Sequence, residues 1–128
     1  MWNLGIEIFS RYPLGLGYDN SEFMRTMDPS LPITHRHMHN NLINIGIETG
    51  FLGLAAYSWF LFVVFKIAKK SYLETKDIVL LCLAMSLAGW QVAGLVEYNF
   101  GDSEILFIAL LIVACLSFKS TSSKNIIV

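Results

Sequence analysis

The residues of this chain best suited to proton chemistry are three histidines that precede a long apolar segment. His35, His37 and His39 alternate along the chain, and Asn40 follows the last of them. A histidine side chain in a model peptide titrates at about pH 6.5, so it can accept or release a proton near neutral pH. Ionisable side chains at the edge of a hydrocarbon-length helix are typical of functional sites. This position predicts acid–base chemistry on a substrate whose other end lies in lipid.

The same histidines have an alternative interpretation as metal ligands. We predict a helix over residues 34–49. On that helix His35 and His39 would share one face and His37 would point away. An acid from the later acidic segment, such as Asp102, would supply a third ligand. A zinc site normally has three or four ligands with recognisable spacing, and one histidine pair falls short of that. We therefore expect no metal and no other cofactor, and metal ligation remains the alternative.

Two glycines mark the point where the apolar segment begins. Gly50 and Gly53 are three positions apart, and small residues at this spacing let another helix or a substrate approach the backbone closely. Glu48 would face away from His39 on a continuous helix, because nine residues turn the chain through about 900°. We therefore expect Glu48 to pair with a group outside this chain.

The composition indicates an integral membrane protein with an all-α fold. Hydrophobic residues make up 55% of the 128 residues and charged residues only 15%, against about 25% charged in ordinary soluble domains. Three apolar segments predict transmembrane helices at about 51–68, 78–97 and 105–118. Residues 1–50 would form a periplasmic loop region with short helices, beginning with an amphipathic helix over 2–11, and residues 119–128 a cytoplasmic tail.

The charges predict how these segments are oriented. Four lysines lie between residues 66 and 76 in the first connection, and Lys119 and Lys124 follow the third apolar segment. In the connection over 97–104, by contrast, every charged residue is acidic. By the positive-inside rule, the lysine-rich segments are cytoplasmic and the acidic connection shares the opposite side with the loop region. The net charge of −1 and the lack of a basic patch exclude nucleic acid as a partner.

The connecting segments are predicted from proline, glycine and serine. Pro13 and Gly15 end the first helix, because proline disfavours helix at the preceding residue and glycine permits turns. Residues 18–33 are polar and contain two prolines, so we predict an irregular segment. The serine-rich stretch over 117–123 is predicted to be disordered.

The residues around His39 resemble a known family pattern. That pattern is a histidine, then asparagine, serine or glutamine, nine variable residues, a glycine, two residues and a second glycine. His39, Asn40, Gly50 and Gly53 match it completely. The pattern is similar to the signature of the O-antigen ligase and polymerase superfamily.

Two further segments resemble the same family. The segment over 12–17 is similar to the Pro-Leu-x-Gly-x-Gly turn that opens the large periplasmic loop of the family, and that over 97–103 to the acidic loop before its last helix. The resemblance extends from Trp2 to about Phe118. Family members have more membrane helices and an arginine shortly before the tryptophan that matches Trp2. Residues 1–50 contain no apolar segment that could carry them across a membrane, so we expect this chain to be the C-terminal part of a longer polytopic protein.

The resemblance implies a metal-independent glycosyl transfer at the periplasmic face of the bacterial inner membrane, as in lipopolysaccharide biosynthesis. The donor would be a glycan on undecaprenyl diphosphate, and the acceptor a sugar hydroxyl on lipid A-core or on another carrier-linked glycan. Its other partners would be membrane lipids and the missing N-terminal transmembrane helices. An O-antigen ligase is the preferred assignment. The alternatives are a polymerase of the same superfamily and an inactive, truncated membrane fragment.

The resemblance also implies roles for individual residues. His39 would be the general base that takes the proton of the acceptor hydroxyl. Asn40 would orient the acceptor or His39, and arginines would stabilise the diphosphate leaving group. The residues expected to bind substrate are Arg36, Asn40, Arg25, Arg11 and His37.

Overall fold

The computed structural model of the protein describes residues 1–18, 20–32 and 37–126. Within these ranges the chain consists of helices and connecting loops without a strand, which confirms the all-α class. The helices there are α1 (Trp2–Arg11), α2 (Ser21–Met27), α3 (Asn41–Thr75), α4 (Ile78–Ala93) and α5 (Ser103–Ile126). They divide into two compact units, Met1–Tyr57 with Gly94–Tyr98 and Ser58–Ala93 with Asn99–Val128.

The first unit is built around a small apolar cluster. Ile8, Met24, Met38 and Ile47 are almost fully buried in it. Helix α1 has the predicted bounds and contributes Leu4 and Ile8, which lie one above the other at a spacing of four. The periodic apolar face predicted from the sequence is therefore the face that packs.

Helix α2 lies inside the segment that we predicted to be irregular, so that prediction is wrong. Its apolar residues Phe23, Met24 and Met27 are spaced three to four positions apart, and all three join the apolar cluster. A helix of seven residues is unstable alone in water, and most of the stability of such a helix comes from packing. The spacing of these three residues was the signal in the sequence.

A turn docks on a break in α3 at Gly50. Gly50 has a non-helical backbone, with φ 68° and ψ −165°. The turn consists of residues 13–17 and is called the proline–glycine turn below. The N–H groups of Leu16 and Gly17 donate to the carbonyls of Ile47 and Glu48 at 2.7 and 2.9 Å. These two carbonyls precede the break, and the turn supplies the donors that the interrupted helix does not.

Glycine is required on both sides of this contact. A Cβ on Gly15 would lie 2.6 Å from the carbonyl oxygen of Glu48, and one on Gly50 would lie 2.7 Å from the amide nitrogen of Gly15. Both glycines also have positive φ, 84° and 68°, which side-chain-bearing residues rarely adopt. The close approach that we predicted at Gly50 is therefore made by the proline–glycine turn of the same chain.

The second unit has its own apolar core. Ala68 of α3, Leu80 of α4 and Leu116 of α5 are buried together, with Tyr72 and Leu83 packed against them. Helix α4 begins after Lys76 and Asp77 at a cap in which Asp77 Oδ1 accepts the N–H of Val79 at 2.9 Å.

Polar contacts join α5 to the end of α3 and to the start of α4 within this unit. Lys119 Nζ lies 2.8 Å from Asp77 Oδ2, and the hydroxyls of Ser71 and Ser120 share a buried hydrogen bond. Helix α5 continues to Ile126, so the predicted disorder over 117–123 is wrong. These contacts, made by the first residues of the predicted tail, stabilise the helix against its weak intrinsic propensity.

Two helices of the described ranges, α3 and α5, are long and apolar enough to cross a membrane. Only 11% and 17% of their most apolar stretches are buried within the chain, whereas the core helix of a soluble protein is mostly buried. This exposure favours membrane association. The first and third predicted segments thus lie on helices of sufficient length.

The second predicted segment, 78–97, ends early. Helix α4 has 16 residues and ends at Ala93, which gives a length of about 24 Å against a hydrocarbon core of about 30 Å. The carbonyls of Gly94 and Leu95 bond to Asn41 and Asn40 instead of continuing the helix. A helix over the whole of 78–97 is therefore wrong, and the crossing of a membrane by this segment stays a prediction.

Candidate active site

The histidine segment is not helical where the structure describes it. Helix α3 begins at Asn41, later than the start at residue 34 that we predicted. His39 has a positive φ of 50°, a conformation that asparagine, aspartate and histidine tolerate better than most residues. Met38 points into the core and is fully buried, while His37 and His39 are half-exposed. His37 and His39 therefore lie on the same side, contrary to the predicted helix.

The two imidazoles meet one carboxylate. The His37 and His39 rings pack edge to face with their centroids 4.3 Å apart. His39 Nδ1 lies 2.9 Å from Glu97 Oε1, and His37 Nδ1 lies 3.7 Å from the same oxygen. An ionised carboxylate can only accept, so Nδ1 of His39 carries the hydrogen in this contact and Nε2 is the nitrogen that can accept a proton.

Glu97 is itself held in place. Its Oε1 accepts the backbone N–H of Tyr98 at 2.9 Å. This hydrogen bond, with smaller effects of the hydrogen bond from His39 and of the two imidazoles, lowers the pKa of Glu97 below its ordinary value, against a smaller opposing effect of burial. The carboxylate is therefore ionised at neutral pH and orients the imidazole of His39.

Two short segments, 39–41 and 94–97, are joined at three consecutive positions. The Asn41 N–H donates to the Gly94 carbonyl at 2.7 Å, and Asn40 Nδ2 donates to the Leu95 carbonyl at 2.9 Å. The third link is the contact between His39 and Glu97. Glycine is required at position 94, because a Cβ there would collide with the side chain of Asn41.

Asparagines form the buried support of this site. Asn40 Oδ1 accepts the N–H of Ile43 at 3.1 Å, which caps the start of α3. Asn44 accepts the N–H of Met38 and donates to the carbonyl of Asn40, at 3.1 Å in both cases. Asn40, Asn41 and Asn44 are each at most 7% exposed. Asn40 thus positions the backbone that carries His39, while its contact with a substrate stays a prediction.

Glu48 finds its partner within the chain, so the partner that we expected outside it is not needed. Both of its carboxylate oxygens accept the hydroxyl of Tyr98, at 2.9 and 3.0 Å. Burial, and secondly the Glu48 carboxylate, raise the pKa of Tyr98 well above its ordinary value. Tyr98 therefore stays protonated and keeps this hydrogen bond.

The structure brings together only some of the predicted site residues. His37, His39 and Asn40 are adjacent, as described above. Arg11 is exposed and pairs with Glu7 one turn earlier on α1, at 2.7 Å. Arg25 is half-buried in the last turn of α2. Arg36 lies outside the described residues.

The structure brings together a different set of residues from the one that we predicted for the metal alternative. His35 lies outside the described residues, and Asp102 accepts the N–H of Glu104 at the start of α5, at 3.2 Å. The third side chain beside the histidines is Glu97. The positive-inside rule put the acidic connection on the side of His39, so Glu97 and Asp102 were the two acids that could polarise it, but nothing in the sequence decided between them.

Comparisons of the chain with protein-family models, with curated proteins and with solved structures gave no match.

Proposed function

We propose that this chain carries the base of a membrane glycosyltransferase of the O-antigen ligase kind. The enzyme moves a glycan from undecaprenyl diphosphate to the hydroxyl of an acceptor sugar on lipid A-core. Its reaction takes place at the periplasmic face of the bacterial inner membrane. The observation that carries the proposal is the 2.9 Å contact between His39 Nδ1 and Glu97 Oε1.

The contact supports the proposal because it fixes which nitrogen of the His39 ring carries the hydrogen. A base needs the other nitrogen to be unprotonated. With the Nδ1 hydrogen directed at Glu97, Nε2 of His39 takes the proton of the acceptor hydroxyl as its oxygen attacks the anomeric carbon. The bond from that carbon to the diphosphate breaks, and the diphosphate leaves with the electron pair. A positioned base typically contributes about 10²–10⁴-fold to such a step. The positive charge on the imidazolium is then stabilised by the Glu97 carboxylate.

The diphosphate requires cations, and arginines are suited to phosphate oxygens. Arg36 is the first candidate, because it is three positions before His39 in the sequence. Arg25 follows. Arg11 is the third candidate, and its guanidinium is paired with Glu7 one turn earlier on α1.

An apolar recess lies beside the start of α3. It has a volume of about 160 Å³ and is lined by residues of α1 and α3, among them Phe9, Leu42 and Leu54. The recess is large enough for a short piece of hydrocarbon and not for a whole prenyl chain. It supports a lipid-linked donor whose first isoprene units contact this unit while the rest lies in the bilayer.

The test is His39→Asn in proteoliposomes that hold the complete protein, a carrier-linked glycan and lipid A-core. Asparagine tolerates the positive φ of position 39 and can still donate toward Glu97, but it cannot act as a base. We expect the transfer rate to fall by about 10²–10⁴-fold, with insertion and helix content unchanged. The matched control is Glu104→Gln, which changes an acid at the start of α5 and leaves the rate unchanged. A rate in His39→Asn within about threefold of the wild type would reject the proposal.

A further inference from the structure

We propose that His37, His39 and Glu97 form a binding site for Zn²⁺. Each residue offers one ligand atom, and these atoms all lie within 4.8 Å of one another. Among the residues that the structure describes, this is the group of histidine and acidic side chains that meets this condition. The inference concerns a ligand of the site, and only the effect on transfer discussed below rests on the proposed function.

The separations fit a tetrahedral ion. With zinc–ligand bonds of about 2.0–2.1 Å, neighbouring ligand atoms are about 3.3–3.4 Å apart. Glu97 Oε1 lies 2.9 Å from Nδ1 of His39 and 3.7 Å from Nδ1 of His37. Shifts of about half an ångström in exposed side chains bring both distances to the required value.

The ligand types also fit zinc. Two imidazoles and one carboxylate are a common ligand set of zinc sites that keep a fourth position for water. Nδ1 of His37 accepts the backbone N–H of His39, at 3.4 Å, so in this tautomer Nδ1 carries no hydrogen, and Zn²⁺ would replace that N–H on its lone pair. The side chains of His37, His39 and Glu97 are 30%, 45% and 55% exposed, so an ion can reach them from solvent.

Zinc and the proposed base compete for one imidazole. In the metal-free chain the hydrogen of His39 is on Nδ1. When Zn²⁺ binds Nδ1, that hydrogen is lost from Nδ1 and a neutral imidazole carries it on Nε2 instead. Nε2 can then no longer accept the proton of an acceptor hydroxyl. If the proposed function holds, Zn²⁺ is therefore an inhibitor of transfer and not a cofactor.

The binding test uses the full chain in detergent, purified without a polyhistidine tag, and Zn²⁺ alone as the probe. Calorimetric titration is expected to give one Zn²⁺ per chain, and Co²⁺ in its place the visible absorption of a four-coordinate ion. His37→Ala and Glu97→Gln should each lower the association constant by at least about tenfold. Glu104→Gln, an acid outside the group, should leave it unchanged. Absence of saturable binding, or equal binding by the wild type and both ligand variants, would overturn the site.

A rescue variant separates ligand loss from misfolding. Glu97→His removes the carboxylate but supplies a third imidazole, a set that also binds zinc. We expect Glu97→His to keep the single Zn²⁺ that Glu97→Gln loses, with equal helix content by circular dichroism. If Glu97→Gln keeps the ion as well as Glu97→His does, position 97 does not supply a ligand and the site is wrong.

Inhibition is measured separately in the transfer assay. We expect Zn²⁺ to inhibit the wild type, a chelator to restore the rate, and the residual activity of His37→Ala to need at least about tenfold more Zn²⁺ for inhibition. Binding without any inhibition would contradict His39 as the base but not the metal site. Conversely, loss of binding in the calorimeter overturns the metal site, whatever the transfer assay gives.

Discussion

At the scale of single residues, one imidazole is held by its own backbone and by one carboxylate. His39 has a positive φ, which is strained for a residue with a side chain and is maintained only when its surroundings require it. The Asn40 side chain, which caps α3, and the Glu97 carboxylate, which contacts the imidazole, hold His39 in this conformation. Strain and orientation together are typical of a pre-organised site, because the side chain does not have to find its geometry when a substrate arrives.

The link to Glu97 should be visible in the pH dependence of stability. The pKa of Glu97 is lowered from 4.5, so its contribution to stability is complete above that value and is lost as the pH falls through the lower folded-state pKa. Between about pH 5 and about pH 3 the melting temperature of the wild type should therefore fall more steeply than that of Glu97→Gln. Thermal melts followed by circular dichroism in detergent measure both slopes, and equal slopes would contradict the shift.

At the scale of elements, the break in α3 is a junction rather than a defect. Residues before Gly50 belong to the packed loop region, whereas the residues that follow begin the apolar part of the helix. The proline–glycine turn satisfies the carbonyls that the break exposes, and the N–H of Phe51 donates to the carbonyl of Pro13 at 2.8 Å. Because buried backbone groups without a hydrogen-bond partner are costly, the break in α3 depends on the hydrogen bonds that the proline–glycine turn supplies.

Gly50→Ala tests this junction. The substitution adds a Cβ against the backbone of the proline–glycine turn at a positive φ, so we expect a loss of stability of more than about 1 kcal/mol. The measurement is the free energy of unfolding in detergent.

Two further glycines serve as controls for Gly50→Ala. Gly17→Ala shares the positive φ, 88°, but its Cβ would meet nothing within 4 Å. It should therefore cost less, because only the backbone strain remains. Gly89→Ala, on the exposed side of α4, should stabilise the helix by up to about 1 kcal/mol. If Gly50→Ala costs no more than Gly17→Ala, the contact with the turn is not tight.

Particular elements show what the sequence could predict. Helix α1 was predictable in full because its apolar period and the proline after it are local signals. Helix α2 was not predictable, because packing on the apolar cluster determines it. The start of α3 was not predictable either, because the cap at Asn40 determines where that helix begins. His39 was recognised from its residue type and from its position just before the long apolar segment. Its partner Glu97 lies 58 positions away; the charge pattern put the acidic connection on the side of His39 but did not distinguish Glu97 from Asp102.

At the scale of the whole molecule, the polar segments that connect or follow the apolar helices are of two kinds, lysine-rich and acidic. Lysines concentrate in the connection between α3 and α4 and after α5, and acids between α4 and α5. The contact of Lys119 with Asp77 joins the two lysine-rich segments, and the contacts of Glu97 join the loop region to the start of the acidic connection. Each contact lies within one of the two units, and the side of the membrane on which each segment lies stays a prediction of the positive-inside rule.

Cysteine labelling in intact cells tests that arrangement. In a chain whose Cys82 and Cys115 are replaced by alanine, Ser30→Cys and Asp102→Cys should react with an impermeant maleimide added from the periplasmic side. Lys70→Cys should react only after lysis, because the positive-inside rule puts the lysine-rich connection in the cytoplasm. Labelling of Ser30→Cys only after lysis would place the histidines on the cytoplasmic side and deprive the proposed reaction of its substrate.

The contacts between residues 39–41 and 94–97 also set an order of events during biosynthesis. The earlier partners leave the ribosome more than fifty residues before the later ones, and at about 5–20 residues per second they wait several seconds. The histidine segment therefore cannot form its final contacts until residues 94–97 have been synthesised. A nascent chain halted before Gly94 would expose this region to proteases, and release of the arrest would protect it.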